Sequence, residues 1–342
     1  MRPAPLPSSV LLTGASGVIG GLIGPALLAA GVSLRVLVHR RRPVWIPAGA
    51  AVDVRTGDVL LPSTLRGVAD GCDAVVHAAG RPGFGALDRD RQRRVTVDGT
   101  AAMLHEAASA GCGAFALAGY TGTVQERGDA EAVDEMTPPE AAYESPYVRM
   151  KMESEAITLE ANRPGSFRAM VVAPGALFGP KQRSLLTGLA LLFLRRELPF
   201  RLLDEAWVAV SGPGDVGSCA VGALARGRGG HRYFATGECL RLGQLYARVQ
   251  ARSGVPAPRR RLPNLLVEEL GVLAPVLPPN SFLRDLVLPR EFVLHVRRLA
   301  PLRNERTRHD LDFVPEPLDA LIDGVVREAG LLPGDGSASA AG

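Results

Sequence analysis

Short, continuous apolar runs alternate with helical segments through the first half of the chain. Such runs are typical of strands buried on both faces, because half-exposed strands alternate apolar and polar residues instead. Strands separated by helices need crossover connections, so the pattern predicts an α/β fold with a doubly wound parallel sheet. Strands are predicted at residues 10–13, 33–38, 51–56, 74–77, 114–117 and 168–172. Helices are predicted at residues 22–30, 60–67, 95–110, 146–162 and 182–196.

The second half of the chain is less regular. Prolines between residues 255 and 290 break this stretch into short helices and loops. That composition suits a small cap packed on the ligand-binding edge of the sheet. We therefore predict a main domain over residues 1–180, a mainly cap-forming region over 181–333 with some segments returning to the core, and a disordered tail over 334–342.

A glycine-rich turn joins the first predicted strand to the first predicted helix, in the sequence VLLTGASGVIG at residues 10–20. Gly14 allows the tight turn, Gly17 lets the backbone approach a phosphate, and Gly20 lets the helix pack closely on the strand. A helix N-terminus preceded by small residues is a ready site for the pyrophosphate of a dinucleotide. The turn predicts a Rossmann-type domain with cofactor contacts at Gly14, Ser16, Gly17, Val18, Ile19 and Gly20.

The second predicted strand ends in VLVHRRRP. Its basic residues lie where a Rossmann-type domain discriminates between NAD(H) and NADP(H). An acidic residue there accepts hydrogen bonds from the ribose hydroxyls of NAD(H), whereas arginine binds the 2′-phosphate of NADP(H). Since His39, Arg40 and Arg41 occupy the turn, NADP(H) is the predicted cofactor and NAD(H) the alternative. Asp58 is either a partner for the adenine amino group or a residue that starts a helix, and Val59 is assigned to the same cofactor site.

Composition argues against nucleic-acid-binding, membrane-spanning, zinc-binding and disulfide-rich proteins. Of the 342 residues, 46% are hydrophobic and 22% are charged, which suits a protein with a sizeable core. A net charge of +4 is too small and too dispersed to predict nucleic-acid binding. The most apolar later stretch, residues 185–194, is too short to span a bilayer, so no membrane partner is expected. The four cysteines show neither zinc-site nor disulfide spacing, so no metal is predicted and a reducing cytoplasm is the expected location.

Several motifs follow one another along the chain. They are TGASGVIG at 13–20, GDV at 57–59, DAVVHAAG at 73–80, VTVDGT at 95–100, SPYVRMK at 145–151, APGALFGP at 173–180, DV at 215–216 and RTRHDLDFVPEPLDALIDGV at 306–325. Their order and spacing resemble the extended short-chain dehydrogenase/reductase family, of the NAD-dependent epimerase/dehydratase type. The resemblance covers nearly the whole chain and is strongest to dihydroflavonol reductases and to ketoreductases that tailor antibiotics or polyketides.

The resemblance implies a Rossmann-type parallel sheet with a smaller C-terminal substrate-binding cap. It also allows a homodimer, because helices of this fold often pair between subunits. Small residues after the fourth strand and backbone groups after the sixth are expected to line the cofactor. These further contacts are Ala78, Ala79, Gly80, Pro174, Ala176 and Leu177.

Tyr147 and Lys151 lie four residues apart on a predicted helix, which puts both side chains on one face. A neighbouring ammonium favours the phenolate, so Lys151 is expected to lower the pKa of Tyr147. In the family that this chain resembles, such a tyrosine donates a proton to a carbonyl oxygen while the cofactor delivers hydride. Lys151 is also expected to hold the nicotinamide ribose, so it counts as both a catalytic and a cofactor-binding residue.

The chain departs from the family at the position just after the fifth strand. A serine or threonine is usual there, whereas this sequence reads FALAGYTGTV, with Gly119 and Tyr120 in the serine positions. Tyr120, Thr121 and Thr123 remain open as the group that hydrogen-bonds the substrate carbonyl. No role is predicted for His295, which has no metal-ligand spacing. Asp134 and Glu135 are expected to be solvated.

Three functions are consistent with these residues. The first is an NADPH-dependent ketoreductase that acts on a small, aromatic or polyketide-derived carbonyl compound through an apolar pocket. The second is a nucleotide-sugar 4-ketoreductase or epimerase, and the third is a regulator that binds the dinucleotide without turnover. The second function needs cations for a diphosphate, and the candidates are Arg183, Arg195, Arg196, Arg201 and Arg259 to Arg261.

Overall fold

A computed structural model describes residues 5–47, 49–128, 131–139, 145–272 and 288–331 of the chain. The predicted tail over 334–342 lies outside these residues. The strands are β1 (Ser9–Thr13), β2 (Ser33–Val38), β3 (Asp53–Thr56), β4 (Ala74–His77), β5 (Ala114–Ala118), β6 (Arg168–Pro174), β7 (Ala176–Leu177), β8 (Trp207–Ser211), β9 (Arg232–Ala235) and β10 (Cys239–Arg241).

Helices connect these strands and form the outer layers. They are α1 (Val18–Ala29), α2 (Arg89–Arg93), α3 (Gly99–Ser109), α4 (Gly122–Gln125), α5 (Pro146–Glu160), α6 (Leu185–Leu194), α7 (Pro213–Arg226), α8 (Leu242–Ser253), α9 (Asn264–Leu270), α10 (Arg290–Val296), α11 (Glu305–Leu311) and α12 (Leu318–Glu328). None of the helices in the described part of the chain is long and apolar enough to cross a bilayer.

The main sheet has seven parallel strands in the order β3-β2-β1-β4-β5-β6-β9. This arrangement confirms the predicted Rossmann-type α/β fold. The strand order reverses between β1 and β4, which opens a crevice at the carboxyl edge of the sheet, where ligands bind in doubly wound folds. A smaller sheet, β10-β8-β7, lies beyond β6 and belongs to the second half of the chain.

Both faces of the main sheet are buried, which explains the continuous apolar strands. On β1, Val10 and Leu12 belong to one core cluster, while Leu11 belongs to the cluster on the opposite face. Helices α1 and α7 cover the first face together, and a Cβ at Gly217 would lie 3.0 Å from the Leu22 carbonyl oxygen. A third cluster, which includes Phe193 and Tyr246, lies in the second half of the chain, the predicted cap-forming half.

Four local predictions differ from the structure. The predicted helix over 60–67 is only a single 3-10 turn at Pro62–Thr64, where proline fits the first position of the turn. The helix predicted over 95–110 begins as a π-helical turn at Arg94–Asp98, and a short α-helix precedes it. The smaller sheet and β9 were not predicted. Glu135 is buried rather than solvated, and it accepts hydrogen bonds from the backbone and hydroxyl of Thr307.

Candidate active site

The glycine-rich turn has a conformation and close contacts that leave no room for side chains at Gly14 and Gly20. Gly14 has a φ of +67°, in the region that favours glycine, and a Cβ there would collide with the backbone of Ala78 and Ala79. A Cβ on Gly20 would collide with the Gly14 carbonyl. Helix α1 begins directly after Gly17, and no side chain caps its N-terminus among the described residues. Its first N–H groups are thus free for an anion, as the dinucleotide prediction requires.

Trp45 supports this turn from outside, a role that the sequence did not reveal. Its indole nitrogen donates to the Ala15 carbonyl oxygen at 2.7 Å, and its ring lies so close to α1 that a Cβ at Gly24 would overlap it. Trp45 therefore holds the start of the helix against the segment that follows β2. A lone tryptophan in a loop carries no pattern that would have pointed to this contact.

The basic turn after β2 lies at the same sheet edge. His39, Arg40 and Arg41 are exposed there, and His39 Nε2 lies 3.3 Å from Asp58 Oδ2. Asp58 also accepts a hydrogen bond from the Leu60 backbone at 2.9 Å, which fixes the turn after β3 and leaves Val59 half-buried beside it. The structure thus brings the predicted phosphate-binding and adenine-binding residues together.

The other predicted cofactor contacts border the crevice. The Thr13 hydroxyl accepts from the Ala79 backbone at 3.2 Å and lies 2.7 Å from Nδ1 of the buried His77. Burial lowers the pKa of His77 to about 3, which keeps this histidine neutral as a structural residue. Of the glycine-loop residues, Ser16, Gly17 and Val18 are exposed, Ile19 is half-buried and Gly20 is buried. The remaining contacts lie at the strand ends, with Ala78, Ala79 and Gly80 after β4, Pro174 ending β6, and Ala176 and Leu177 forming β7.

Helix α5 carries Tyr147 and Lys151 to the same edge. Pro146 occupies its first position, and the Ser145 hydroxyl caps it by accepting from the Val148 backbone at 3.2 Å. Lys151 Nζ donates to the Ala118 carbonyl oxygen, at the end of β5, at 2.7 Å. The tyrosine and lysine predicted as a catalytic pair therefore stand together at the carboxyl end of the central strands.

Burial shifts the ionisation of both side chains. It raises the pKa of Tyr147 to about 12 and lowers the pKa of Lys151 to about 8, with Glu155 opposing the second shift. The prediction that Lys151 lowers the pKa of Tyr147 is wrong here, because loss of solvation outweighs any stabilisation of the phenolate. Tyr147 is thus a protonated phenol at neutral pH, which suits a proton donor.

Glu155 continues the same face of α5, four residues after Lys151. It is fully buried, forms an ion pair with Arg232 on β9, and accepts a hydrogen bond from the Thr123 hydroxyl at 3.1 Å. Burial raises the pKa of Glu155, and Arg232 opposes that shift. The ion pair anchors α5 to β9, the edge strand of the main sheet, and the Thr123 hydroxyl is engaged in this buried network.

Replacing Arg232 with methionine is expected to lower the free energy of unfolding by about 3 kcal/mol, since Glu155 would keep a buried charge without its partner. Urea unfolding followed by circular dichroism measures the change. Arg248 is the matched control, because its pair with Glu238 is about half exposed. Arg248→Met should cost no more than about 1 kcal/mol. Equal losses in the two variants would show that the buried pair does not anchor α5.

Tyr120 occupies the position where the family places a serine. Its hydroxyl lies 2.9 Å from His295 Nε2, and His295 Nδ1 lies 3.0 Å from Glu126 Oε2. His295 and Glu126 are fully buried. Thr121, the other predicted catalytic hydroxyl, is 1% exposed, and its backbone N–H donates to the Pro174 carbonyl oxygen at 3.2 Å.

Helix α10, in the predicted cap-forming half, lies against the start of α5 and the loop after β4. Glu291 accepts hydrogen bonds from the Ser145 hydroxyl at 2.7 Å and from the Gly85 backbone at 2.8 Å, so it ties this helix to α5 and to the loop after β4. Phe292 packs edge-on against Phe84, whose ring also contacts Tyr147 at a centroid distance of 4.9 Å. Sequence reasoning missed these residues, because helix α10 is distant along the chain and has no motif.

The fold and the site define a Rossmann-fold protein with a glycine-rich turn at the carboxyl edge of its parallel sheet. Residues 10–205 match the model of the NAD dependent epimerase/dehydratase family. The match spans more than half of the chain, and the chain therefore belongs to this family, as its motifs indicated. It is an NAD(P)-dependent oxidoreductase, in keeping with the reductases among its relatives.

Two curated relatives and one solved structure show how far the similarity extends. Sterol demethylase protein B of Methylococcus capsulatus is 28% identical over 95% of this chain and 100% of its own length. A ketoreductase of Stigmatella aurantiaca, named for 4-hydroxy-2-methyl-3-oxo-4-farnesyl-3,4-dihydroquinoline-1-oxide, is 28% identical over 78% of this chain and 74% of its own. The crystal structure of gox2253 superposes with a TM-score of 0.77 at 22% identity, covering 95% of this chain and 100% of that one.

Proposed function

We propose that the protein is an NADPH-dependent ketoreductase that reduces a small apolar carbonyl compound, aromatic or polyketide-derived. The observation that carries this proposal is the pair of Tyr147 and Lys151 on one face of α5 at the carboxyl edge of the sheet, where the Tyr147 ring packs against the rings of Phe84 and Tyr120. The ketoreductase named among the relatives acts on a quinoline compound, a substrate of the proposed class.

The residues present fit a bound dinucleotide. The uncapped start of α1 and the glycine backbone at Gly14, where no Cβ fits, form the cradle expected for a pyrophosphate. When bound, the reduced nicotinamide supplies a hydride to the carbonyl carbon. Tyr147 donates its phenolic proton to the carbonyl oxygen. Its pKa of about 12 keeps the phenol protonated at neutral pH, so the proton is available. Lys151, held by the Ala118 carbonyl, orients the ribose and offsets negative charge that develops on Tyr147.

The basic turn after β2 supports the choice of NADPH. His39, Arg40 and Arg41 are exposed at the carboxyl end of that strand, where the adenine ribose of this fold lies. An arginine binds a phosphate bidentately, so this turn favours the cofactor that carries the 2′-phosphate. Asp58 already has His39 as a partner and is less available to a ribose hydroxyl.

The variant Arg40→Glu is expected to weaken NADPH binding by about tenfold or more, because it replaces an attraction to the phosphate by repulsion. Binding of NADH should change by much less. Fluorescence titration of both dinucleotides measures the two affinities. Arg66→Glu is the control, since it makes the same charge change at an exposed residue between β3 and β4. Equal losses for NADPH and NADH would contradict the assignment of this turn.

The substrate class follows from what surrounds Tyr147. Phe84, Phe292 and Tyr120 present aromatic surface there, which favours an apolar ring system over a sugar. Two arginines considered for a nucleotide diphosphate are otherwise engaged, because Arg201 and Arg261 both pair with Asp204. We therefore place a ketone, rather than a nucleotide sugar, between the Rossmann domain of residues 1–180 and the cap of residues 181–333.

A substrate panel tests the proposal. The protein is incubated with NADPH and apolar cyclic ketones such as tetralone and decalone, and in parallel with UDP-glucose and either dinucleotide. Consumption of NADPH with the ketones, together with alcohol products, is the expected result. Conversion of UDP-glucose alone would favour the nucleotide-sugar function, and tight NADPH binding without turnover on any compound would favour the regulator.

A further inference from the structure

Gly119 and Tyr120 stand where a serine would normally bind the substrate carbonyl, and packing explains the exchange. A Cβ at Gly119 would collide with the side chain of Val171 on β6, so no serine side chain fits there. The next residue, Tyr120, has its ring 5.9 Å from that of Tyr147. A phenol thus replaces the short hydroxyl beside the proposed proton donor.

We propose that Glu126 and His295 hold Tyr120 as the group that hydrogen-bonds the carbonyl oxygen of the substrate. The inference rests on the proposed reductase function and gives roles to Glu126 and His295, for which the resemblance to the family predicts none. Tyr120 would be a catalytic residue, since it touches the reacting carbonyl. Glu126 and His295 would be positioning residues that act through it.

The hydrogen bonds form a single chain from a carboxylate to a phenol. Glu126 lies 3.0 Å from Nδ1 of His295, and Nε2 on the opposite side of the ring lies 2.9 Å from the Tyr120 hydroxyl. A carboxylate at Nδ1 fixes the orientation of an imidazole, as it does for histidines that act in catalysis or bind metals. Because the ring cannot turn without losing both contacts, the position of the phenol is fixed as well.

The proposed role requires one arrangement of protons along this chain of hydrogen bonds. Nε2–H of His295 donates to the Tyr120 oxygen, so that the phenolic O–H remains to donate to a ligand. Burial, Tyr147 and Glu126 all raise the pKa of Tyr120, so it keeps that proton.

Neighbouring residues leave room for this chain of hydrogen bonds and pack against it. A Cβ at Gly122 would collide with the Tyr120 ring and would lie 2.8 Å from His295 Nε2, so the glycine leaves room for their contact. The Phe84 ring packs against His295 at a centroid distance of 5.1 Å and also contacts Tyr147. One oxygen of Glu126 has no partner among the described residues, so His295 is its main contact.

Steady-state kinetics of His295→Gln, Tyr120→Phe and the double variant test the proposal. The substrate is the ketone that the wild-type protein reduces fastest. Each single variant should lower kcat by about 100-fold, the typical effect of removing one donor to a developing oxyanion. The double variant should be no slower than the slower single variant, because both changes remove one function. The KM for NADPH and its affinity by fluorescence titration should stay within about twofold of wild type.

Two controls separate this role from loosened packing. Val293→Ala removes a fully buried side chain from the same helix, so it should lower the melting temperature with little effect on kcat. Added imidazole should restore part of the activity of His295→Ala, which a merely structural histidine would not allow. In proton NMR, a downfield imidazole N–H resonance should be present in wild type and absent from His295→Gln.

Unchanged kcat in His295→Gln would overturn the proposal, as would losses in the single variants that multiply in the double variant. Failure of imidazole to restore any activity would also count against it. A wild-type protein that reduces no ketone would overturn the proposed function and, with it, this role for Tyr120. Normal wild-type turnover with unaffected variants would overturn the role of Tyr120 alone, so the two failures are distinguishable.

Discussion

Replacing Tyr147 with phenylalanine is expected to lower kcat for ketone reduction by about 10²–10⁴-fold, the range typical of losing a general acid. The ring and its contact with Phe84 remain, so only the proton is removed. Because the phenol has a raised pKa and stays protonated, the loss should persist across the neutral pH range rather than be recovered at higher pH. Steady-state rates of NADPH consumption at several pH values measure the effect.

Tyr246→Phe is the matched control for this change. Tyr246 is a buried tyrosine in the cap-forming half, where it packs against Phe193. Removing its hydroxyl should leave kcat within about twofold of wild type, since it lies in the core rather than at the sheet edge. An unchanged kcat in Tyr147→Phe would show that Tyr147 is not the proton donor.

Gly14→Ala is expected to abolish measurable NADPH binding and to lower the free energy of unfolding by about 4 kcal/mol. Two effects lower the stability. A φ of +67° is unfavourable for alanine, and the alanine Cβ would collide with the backbone between Ala78 and Ala79. The strand ends would have to separate, which would widen the cradle for the pyrophosphate. Urea unfolding and fluorescence titration measure the two effects.

Gly31→Ala distinguishes the collision from the backbone strain. Gly31 has a φ of +80°, yet a Cβ there would meet no atom within 4 Å. This variant should lose about 1–2 kcal/mol of stability and keep its affinity for NADPH. If both variants bound NADPH equally well, the close approach of the glycine turn to β4 would not be needed for the cofactor.

Local spacing made much of the site predictable. The glycine turn, the basic turn after β2 and the helix with Tyr147 and Lys151 each depend on residues that are neighbours in sequence. A parallel sheet then places these segments at one edge, because the carboxyl ends of its strands meet there. The predicted fold is confirmed, whereas the assignment of individual cofactor and catalytic residues stays a prediction.

The remaining features depend on contacts between distant segments. His295 joins Glu126, 169 positions earlier in the chain, and no short motif connects them. Likewise, Trp45 packs on α1 from a loop, and Glu291 reaches the start of α5 from the cap-forming half. The pKa of Tyr147 was predicted in the wrong direction, since spacing shows that a lysine is near but not how strongly the surrounding protein desolvates the phenol.

Transfer of deuterium from labelled NADPH to a ketone tests the central claim most directly. NADPH that carries deuterium at C4, in each of its two configurations, is incubated with the protein and the cyclic ketones, and the products are analysed by mass spectrometry. The account predicts one deuterium on the alcohol carbon from one of the two labelled cofactors, and almost none with Tyr147→Phe. Products without deuterium from either cofactor, or no alcohol at all, would contradict the account.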